Sequence, residues 1–331
     1  MKKLAEKQVC WGVLGVGDVC EVKSAPAMNL VDDSRLVAVM RRNEELAEDY
    51  ARRHGVPKWY GDAKSLIDDP DVNAIYIATP PNAHRDLALL AAAAGKPVYV
   101  EKPMARTYAE CEEMISACAK ANVPLFVAYY RRTLPHFVEM KKLIDAGDIG
   151  DVRHVQVTVY QEPLPDVVRN LDNNWRVDPE TAGGGYFYDL ASHQLDLLDF
   201  LLGPIIDASG FVANQAGHYD AEDIVTATWQ FDSGVLGTGS WCFTSDAVSQ
   251  KDETAIVGSK GQISFATFGD GAFRLLTSTR DETFEFDLPM HIQQFLIRDI
   301  VDELLGRGTS PSTGKTGART NRVMDAIFGA G

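Results

Sequence analysis

The chain has 331 residues, of which 45% are hydrophobic and 24% are charged, and its formal net charge at pH 7 is −15. This length suffices for two ordinary domains with a sizeable core, so the fold needs no disulfide or metal ion to stabilise it. An acidic surface repels phosphate groups, so we expect no nucleic-acid and no membrane partner, although a local basic pocket for one phosphate remains compatible with this charge.

The first half of the chain alternates continuous apolar runs with helical segments. Such runs are typical of parallel strands that are buried on both faces. The predicted strands are residues 10–14, 36–40, 74–78, 97–100 and 125–129. The predicted helices are residues 44–54, residues 85–94, and a segment through residue 121 that begins at a capping box of Thr107 and Glu110. This alternation predicts an α/β fold with a doubly wound parallel sheet, and we assign residues 1–131 to a dinucleotide-binding Rossmann domain.

The second half of the chain changes to alternating apolar and polar residues, which is typical of strands with one face on the core. The predicted strands are residues 152–161, 224–231, 235–241, 253–257, 262–268, 273–276 and 283–288. The predicted helices are residues 186–202, 291–305 and 318–328. Residues 132–331 are therefore predicted to form an α+β domain with a large, mostly antiparallel sheet.

A glycine-containing turn follows the first predicted strand and opens a helix. Gly15 permits the tight turn, and Gly17 allows the backbone to approach a pyrophosphate. The helix that begins near Asp18 and Val19 adds N–H donors and a positive dipole. The third glycine position holds Cys20. A plain turn is the alternative, but the position at the first turn of a βαβ array favours a nucleotide site.

The residues after the second strand indicate which dinucleotide is bound. An acidic residue that binds the ribose 2′-OH of NAD would lie there, but the strand runs into Arg41 and Arg42, and the first carboxylate is Glu44. A guanidinium attracts and clamps a 2′-phosphate. The pair therefore favours NADP(H), with NAD(H) still possible. The alternative is two solvated residues at the start of a helix.

Five further motifs occur in a fixed order along the chain. They are Thr79-Pro80-Pro81-Asn82-Ala83-His84, Glu101-Lys102-Pro103, Tyr129-Tyr130-Arg131-Arg132, Trp175-Arg176, and Gly183-Gly184-Gly185-Tyr186-Phe187-Tyr188-Asp189-Leu190-Ala191-Ser192-His193. Taken together, and over nearly the whole chain, they resemble the glucose–fructose oxidoreductase, inositol dehydrogenase and rhizopine-catabolism (Gfo/Idh/MocA) family. The similarity is closest to bacterial sugar reductases that use NADP(H).

The resemblance implies roles for particular residues. Lys102 matches the lysine beside the nicotinamide and the reacting oxygen, and Asp189 and His193 match a pair in the substrate pocket. His193 would be the proton donor or acceptor. The positions that match cofactor-side loops are Thr79, Pro80, Asn82, His84 and Glu101, and Trp175 and Arg176 match a pair that reaches the cofactor.

The chemistry of these side chains agrees with those roles. Reducing a carbonyl leaves an alkoxide that needs a proton, and histidine has the side-chain pKa nearest neutrality. The ammonium of Lys102 can stabilise the developing oxyanion. Asp189 and His193 are four residues apart, so we predict that they share one helix face. Asp189 would orient the imidazole or bind a sugar hydroxyl.

Several alternatives stay open. Asp189, His193 and Asp196 could form a metal-binding face, but no further ligand set supports it and we expect no metal. One of Tyr130, Arg131 and Arg132 is expected to face the site. His84 could contact the cofactor or simply cap its helix, and His291 could line the pocket or lie outside it. Residues 183–185 could approach a ligand closely or form a plain flexible loop, and Asp196 and Asp199 are expected to be solvated or structural.

Substrate identity depends on loops whose shape the sequence does not determine. Residues 162–176 and 217–222 are the candidates. The polar side chains of the first loop that suit hydroxyl recognition are Asp166, Arg169, Asn170, Asp172, Asn173 and Asn174. Such a composition is also normal for an exposed loop.

The cysteines and the N-terminal residues indicate the compartment. The five cysteines are Cys10, Cys20, Cys111, Cys118 and Cys242, an odd number without a Cys-x-x-Cys pair. This usage is typical of reduced thiols in the cytoplasm. The basic N-terminal residues are not followed by an apolar run, so we expect no signal peptide, and the longest apolar run, residues 87–94, is too short to span a membrane.

These features together favour an NADP(H)-dependent oxidoreductase that acts on a secondary alcohol or ketone of a sugar or cyclic polyol. One alternative is a glycoside hydrolase that keeps the cofactor bound and oxidises the sugar transiently. Another is a non-catalytic ligand sensor, against which Lys102, Asp189 and His193 argue. The resemblance also implies that the C-terminal domain binds substrate and that its sheet pairs in a homodimer or homotetramer.

Overall fold

The structure is a computed structural model that describes residue 4, residues 7–163 and residues 174–329. The chain forms two compact units: the first comprises Met1–Tyr130 and Pro289–Ala318, and the second comprises Arg131–Leu288 and Arg319–Gly331. The predicted domain bounds, residues 1–131 and residues 132–331, stay a prediction. Residues 289–318, which the sequence analysis assigned to the C-terminal domain, pack in the first unit.

Six parallel strands form the sheet of the first unit, in the order β3-β2-β1-β4-β5-β6. Their bounds are β1 Val9–Leu14, β2 Ser34–Met40, β3 Lys58–Tyr60, β4 Ala74–Ile77, β5 Val98–Val100 and β6 Leu125–Val127. The predicted doubly wound parallel sheet is confirmed. Strand β3 was not predicted, because it has three residues and none of them is fully buried. The strand order reverses between β1 and β4, and the carboxyl ends of strands at such a point are where α/β sheets bind ligands.

Helices cover both faces of this sheet. The α-helices in the described residues of both units, numbered in chain order, are α1 Asp18–Val22, α2 Glu44–His54, α3 Ala63–Asp68, α4 His84–Ala93, α5 Tyr108–Lys120, α6 Pro135–Ala146, α7 Pro179–Ala182, α8 Ser192–Leu202, α9 Gln294–Leu304 and α10 Gly314–Ile327. Trp11, Tyr76 and Tyr99 pack on one face of the sheet with Ile300 of α9. Met114 of α5 belongs to the cluster on the other face. None of the described helices is long and apolar enough to cross a lipid bilayer.

Local capping explains why two helices match their predictions. The side chain of Asn43 accepts the N–H of Leu46 at 3.2 Å to begin α2, and Gly55, with φ of +66°, ends it. Thr107 caps α5 by accepting the N–H of Glu110 at 3.2 Å. The carboxylate of Glu110 accepts the N–H of Arg106 at 3.1 Å, one residue earlier than a capping box requires.

The second unit contains an eight-stranded sheet in the order β14-β13-β12-β11-β7-β10-β9-β8. Its strands are β7 Val152–Tyr160, β8 Ile205–Ala213, β9 Ile224–Phe231, β10 Leu236–Cys242, β11 Lys251–Gly258, β12 Gly261–Phe265, β13 Ala272–Thr277 and β14 Asp281–Glu285. Only the β7–β10 pair is parallel among the described pairs, so the mostly antiparallel prediction is confirmed. Strand β8 was not predicted, because Ile206 and Phe211 are exposed and break the pattern of apolar residues on the buried face.

The predicted helix over residues 186–202 consists of two different segments. A π-helical turn, Phe187–Ala191, precedes the regular helix α8. Such turns occur as short bulges in α-helices and are frequent at functional sites. The described 3₁₀ segments are Ala25–Asn29, Pro81–Ala83, Tyr130–Thr133, Trp175–Val177 and Ala247–Ser249.

Helix α10 begins four residues earlier than predicted. Gly314 and Gly317 weaken helix propensity, which is why the prediction began at residue 318. A Cβ on Gly314 would lie 2.8 Å from the Leu125 side chain, and one on Gly317 would lie 2.6 Å from the Val127 side chain. Both glycines are therefore needed for the close approach of α10 to β6.

Candidate active site

The turn after β1 leaves room for a ligand. Gly15 has φ of +89°, and a Cβ there would lie 2.6 Å from the Thr79 side chain at the end of β4. A Cβ on Gly17 would meet only the carbonyl oxygen of Gly15, at 3.9 Å, so the space in front of Gly17 is open. The buried Oγ1 of Thr79 has no hydrogen-bond partner within the described part of the chain. Open space and an unused hydroxyl fit the pyrophosphate of a dinucleotide.

The same turn is joined to the end of β2. The carbonyl oxygen of Met40 accepts the N–H of Gly15 at 2.9 Å and the N–H of Val16 at 3.2 Å. The next residue, Arg41, donates its backbone N–H to the Tyr60 carbonyl at 3.2 Å. The side chains of Arg41 and its neighbour Arg42 are exposed. The predicted basic corner therefore lies next to the glycine turn.

Helix α1 starts with two of the predicted cofactor residues, Asp18 and Val19, and is only five residues long. Cys20, at the third glycine position, is fully buried, and burial raises the pKa of its thiol to about 12. The Tyr50 hydroxyl donates to the Cys20 carbonyl at 2.7 Å. A neutral cysteine thus fits where helix and strand pack closely, and the departure from glycine does not disturb the fold.

His84 links two loops on the cofactor side. It is fully buried, its Nε2 lies 2.8 Å from the Thr79 carbonyl, and its Nδ1 lies 3.1 Å from the Pro103 carbonyl and 3.2 Å from that of Met104. Burial lowers its pKa. This geometry gives His84 a role in holding the loops after β4 and β5. Its assignment as a residue that contacts the cofactor stays a prediction, as do those of Pro80 and Asn82 in the same loop.

Glu101 lies at the carboxyl end of β5 beside Lys102. Its buried carboxylate accepts hydrogen bonds from the Tyr76 hydroxyl at 2.6 Å and from Nε2 of Gln293 at 2.7 Å. The backbone N–H of Lys102 donates to the second carboxylate oxygen at 3.1 Å. The Lys102–Pro103 peptide is cis. The sequence analysis did not single out Tyr76 or Gln293, and Gln293 had no local signal, because it is 192 residues from Glu101 in the chain.

In the second unit, Asp189 lies in the π-helical turn and pairs with Arg176. The distance from Arg176 Nε to Asp189 Oδ2 is 3.3 Å. The guanidinium of Arg176 also stacks over the ring of Trp175, with its Cζ 4.6 Å from the centroid. These contacts join the predicted Trp175–Arg176 pair to the predicted substrate carboxylate. The predictions that Asp189 and His193 share a face and that Trp175 and Arg176 reach the cofactor stay predictions.

An aromatic residue that the sequence analysis missed packs against His193. The imidazole is buried, and its centroid lies 6.0 Å from that of Phe268 in an edge-on arrangement. The guanidinium of Arg131 lies over the same phenylalanine, 4.8 Å from its centroid, and donates through Nε to the Thr267 carbonyl at 3.0 Å. Phe268 follows a strand without a motif around it, so no sequence signal identified it.

A buried ionic cluster holds the helix that carries His193. Nε of Arg132 donates to the two carboxylate oxygens of Asp196 at 3.0 and 2.8 Å, and Nη2 lies 2.9 Å from Asp199. Arg319 donates to Asp199 at 2.6 and 2.7 Å. Burial raises the pKa of Asp196 to about 6, against the attraction of Arg132. Asp196 and Asp199 are therefore structural, which is one of the two predicted readings.

The metal alternative has no support in this geometry. Both carboxylate oxygens of Asp196 accept hydrogen bonds from the Arg132 guanidinium. Among the described residues, no group of three or more His, Cys, Asp or Glu is arranged to hold a metal ion.

The structure shows internal contacts of two glycines and of His291, and the prediction that His291 lines the pocket stays a prediction. A Cβ on Gly184 would lie 2.3 Å from the Tyr188 ring, and one on Gly185 would lie 2.6 Å from Ala221, so internal packing accounts for both glycines. His291 Nδ1 lies 2.5 Å from the Val22 carbonyl.

Five of the predicted hydroxyl-binding residues lie outside the described residues: Asp166, Arg169, Asn170, Asp172 and Asn173. Asn174 donates to the Tyr186 hydroxyl at 3.0 Å.

Comparison with known proteins matches both halves of the chain. Residues 9–129 match the oxidoreductase family with an NAD-binding Rossmann fold, and residues 137–264 match the GFO/IDH/MocA C-terminal domain. The chain is 38% identical over 326 residues to oxidoreductase P35 of Formosa agariphila, which covers 98% of this chain and 99% of that protein. It is 30% identical over 238 residues to 1,5-anhydro-D-fructose reductase of Ensifer adhaerens, which covers 71% of this chain and 69% of that protein.

A solved structure has the same fold. Aldose-aldose oxidoreductase from Caulobacter crescentus, complexed with glycerol, is 26% identical to this chain and has a TM-score of 0.84. The match covers 98% of this chain and 97% of that one.

Proposed function

The chain belongs to the Gfo/Idh/MocA family of NAD(P)-dependent oxidoreductases, as its motifs predicted, and we propose that it uses NADP(H) to interconvert a secondary alcohol and a ketone of a sugar or cyclic polyol. When bound, the nicotinamide supplies or accepts the hydride, and the protein positions the reacting groups. The space before Gly17 and the Thr79 hydroxyl would hold the pyrophosphate.

The observation that carries the cofactor proposal is the bond between the glycine turn and the end of β2. Because Met40 accepts the N–H groups of Gly15 and Val16, the following residue, Arg41, lies beside the turn. Its guanidinium would form charge-assisted hydrogen bonds with a ribose 2′-phosphate. No carboxylate occurs between the end of β2 and Glu44 to hold a 2′-OH instead.

Lys102 and His193 would act on the substrate oxygen. The Lys102 ammonium would donate a hydrogen bond to that oxygen and stabilise the negative charge that develops on it during reduction. His193 would deliver the proton that converts the alkoxide to the alcohol and would remove it in the reverse direction. Asp189, held by Arg176, would bind a neighbouring hydroxyl or orient the imidazole.

The relatives support a carbohydrate substrate. One is named as a reductase of 1,5-anhydro-D-fructose, and the solved relative is named as an aldose-aldose oxidoreductase that binds glycerol. These compounds share vicinal hydroxyl or carbonyl groups, which a lysine, a histidine and an aspartate can recognise together.

The second sheet would mediate a homodimer or homotetramer. Phe211 on β8 is 86% exposed and Leu236 on β10 is 56% exposed, and apolar side chains of this size on a sheet face commonly mark an interface. Light scattering of the wild-type chain and of Phe211→Asp tests this, and a monomer at micromolar concentration would contradict it. We also assign the protein to the cytoplasm, because an odd number of cysteines without a Cys-x-x-Cys pair is typical of the proteins of that compartment.

The test is a fluorescence titration of the purified protein with NADPH and, separately, NADH, followed by turnover assays with ketoses and anhydro-sugars. We expect NADPH to bind at least about tenfold more tightly, as a clamped phosphate predicts, and to be oxidised by at least one sugar ketone. Tighter binding of NADH would overturn the cofactor proposal. Release of an aglycone without net oxidation of the nicotinamide would identify a glycosidase instead, and cofactor binding without any turnover would favour a sensor.

A further inference from the structure

We propose that Gln293 is a positioning residue for Lys102 and acts through the carboxylate of Glu101. The inference rests on the proposed function only in giving Lys102 a role in the reaction. Gln293 belongs to the segment that joins the first unit after the second sheet, and its Nε2 donates to Glu101 Oε1 at 2.7 Å. It is therefore a distant part of the chain that completes the carboxyl end of β5.

The hydrogen bonds form one continuous chain. The Tyr99 hydroxyl donates to Gln293 Oε1 at 2.6 Å, and the Tyr76 hydroxyl donates to Glu101 Oε1 at 2.6 Å. The other oxygen of Glu101 accepts the backbone N–H of Lys102 at 3.1 Å. Tyr76 and Gln293 thus hold Oε1 of Glu101 in place. Because the carboxylate is rigid, its other oxygen is then held where it accepts the N–H of Lys102.

The amide of Gln293 has only one favourable orientation. Tyr99 is fully buried, and burial raises its pKa well above 10, so the phenol stays protonated and donates. Gln293 Oε1 must therefore face Tyr99, and its NH₂ group must face Glu101. A flipped amide would place its oxygen against the accepting oxygen of Glu101, so that two acceptors would face each other.

The groups around the amide are held in place. The rings of Tyr76 and Tyr99 stack with centroids 4.7 Å apart, which fixes both hydroxyls. The backbone N–H of Gln293 donates to the Lys23 carbonyl at 3.2 Å, and His291 contacts the Val22 carbonyl. Residues 291–293 therefore link the end of α1, which follows the glycine turn, to the carboxylate beside Lys102.

Loss of the Gln293 donor has a defined consequence. A buried carboxylate that loses one donor is poorly solvated and turns toward other donors. The backbone N–H of Lys102 would then lose its fixed acceptor. The backbone of Lys102 would move more freely, and so would the side chain attached to it. Small displacements of a reacting group lower catalysis much more than they lower binding.

The first experiment compares Gln293→Met, Tyr76→Phe and the control Ser34→Ala. The control removes a buried hydrogen bond of similar kind, from Trp11 Nε1 to Ser34 Oγ at 3.0 Å, in the same core. Hydrogen exchange of the Lys102 amide is measured in the cofactor-free protein. We expect exchange about tenfold faster in both network variants, as loss of a protecting bond predicts, with the β5 amides unchanged and the control equal to wild type. Unchanged Lys102 exchange in both network variants would overturn the proposal.

The second experiment uses the nearly isosteric Gln293→Glu. At low pH the new carboxyl is protonated, donates to Glu101 and accepts from Tyr99, so it restores the network. At higher pH the new carboxyl ionises, and two facing carboxylates repel each other. The ratio of the variant's exchange rate at Lys102 to that of wild type should therefore be near one at low pH, and so should the ratio of the two kcat values. Both ratios should change at least about tenfold as the new carboxyl ionises. A ratio that is independent of pH would contradict the proposal.

These readouts separate two kinds of failure. If the wild-type chain reduces no sugar but Lys102 exchange responds as expected, the proposed function is wrong and the positioning of Lys102 stands. If the wild-type chain is active and exchange at Lys102 does not respond, the positioning role alone is wrong.

Discussion

The guanidinium of Arg176 lies 3.3 Å from the carboxylate of Asp189 and stacks on Trp175. The family resemblance implies that Arg176 reaches the cofactor, whereas this contact connects it to the predicted substrate carboxylate. The two roles make different predictions for binding. The pair is partly exposed, with 44% of the Arg176 side chain and 18% of the Asp189 side chain accessible, so its effect on stability is small.

We expect Arg176→Met to raise the KM for the sugar about three- to tenfold with little change in the Kd for NADPH, because the carboxylate loses its orienting partner, an effect of about 1 kcal/mol. Steady-state kinetics and the fluorescence titration measure the two constants. Arg153→Met is the matched control, since Arg153 pairs with Asp151 on the surface. A large loss of NADPH affinity with an unchanged KM would assign Arg176 to the cofactor instead.

Arg41→Asp should weaken NADPH binding much more than NADH binding. The substitution removes a cation beside the glycine turn and adds a charge that repels a 2′-phosphate, so we expect the NADPH/NADH preference to fall at least about a hundredfold. Arg35→Asp, at an exposed position of β2, the strand that ends just before Arg41, is the control and should leave the ratio unchanged. Equal loss of both cofactors in Arg41→Asp would show that Arg41 does not contact the phosphate.

Lys102→Ala and His193→Ala should each lower kcat by about 10²–10⁴, the range expected for loss of a general acid or an oxyanion donor. Binding of NADPH should survive in both variants, because the proposed pyrophosphate site at the glycine turn contains neither residue. Single-turnover measurements with saturating NADPH separate the chemical step from binding. Wild-type turnover in either variant would remove that residue from the mechanism.

Local sequence signals predicted much of the fold. Helix α2 was predicted at its observed bounds, because Gly55 and the residues before Glu44 are local signals of its ends. The glycine turn and the basic corner were predicted for the same reason. Strand β8 and the start of α10 were not, because exposed apolar residues and packed glycines depend on neighbours that are distant in the chain.

In the candidate site, too, local sequence signals identify only part of the arrangement. Lys102 and His193 come from motifs that a sequence contains in full, although their roles stay predictions. The groups that surround them, Gln293 at Glu101 and Phe268 at His193, come from remote segments with no motif. Tertiary structure alone brings these side chains together, so no pattern of spacing could have identified them.

Arg132 is predicted to be essential for stability. Its side chain is 4% exposed and pairs with Asp196 and Asp199, which lie on α8, the helix that carries His193. Arg132→Met leaves two buried carboxylates, of which Asp199 keeps its pair with Arg319, and we expect the free energy of unfolding to fall by about 3–5 kcal/mol. Urea unfolding followed by circular dichroism measures it. The surface variant Arg153→Met should change stability by less than about 1 kcal/mol, and an equally small effect for Arg132→Met would contradict the prediction.

Glu21 should make the protein lose stability in acid. Hydrogen bonds from Arg53, at 2.8 and 2.9 Å, and a contact with His54 lower the pKa of Glu21 from 4.5 to about 2. A carboxyl whose folded pKa is depressed stabilises the fold above its unfolded pKa, and this contribution is lost as pH falls from about 4.5 toward 2. Glu21 is partly exposed, so the full effect is expected to be about 1 kcal/mol or less.

The measurement is the urea midpoint of wild type and Glu21→Gln between pH 7 and pH 2.5. The wild-type advantage should shrink as the pH falls below about 4.5, because the unfolded carboxyl then takes up a proton that the folded one, with a pKa of about 2, does not. Glu48→Gln, at an exposed position of α2, should show no such convergence. An advantage that persists unchanged to pH 2.5 would mean that the interaction does not depend on the charge of Glu21, and that α1 and α2 are held together by the Tyr50–Cys20 hydrogen bond and apolar packing instead.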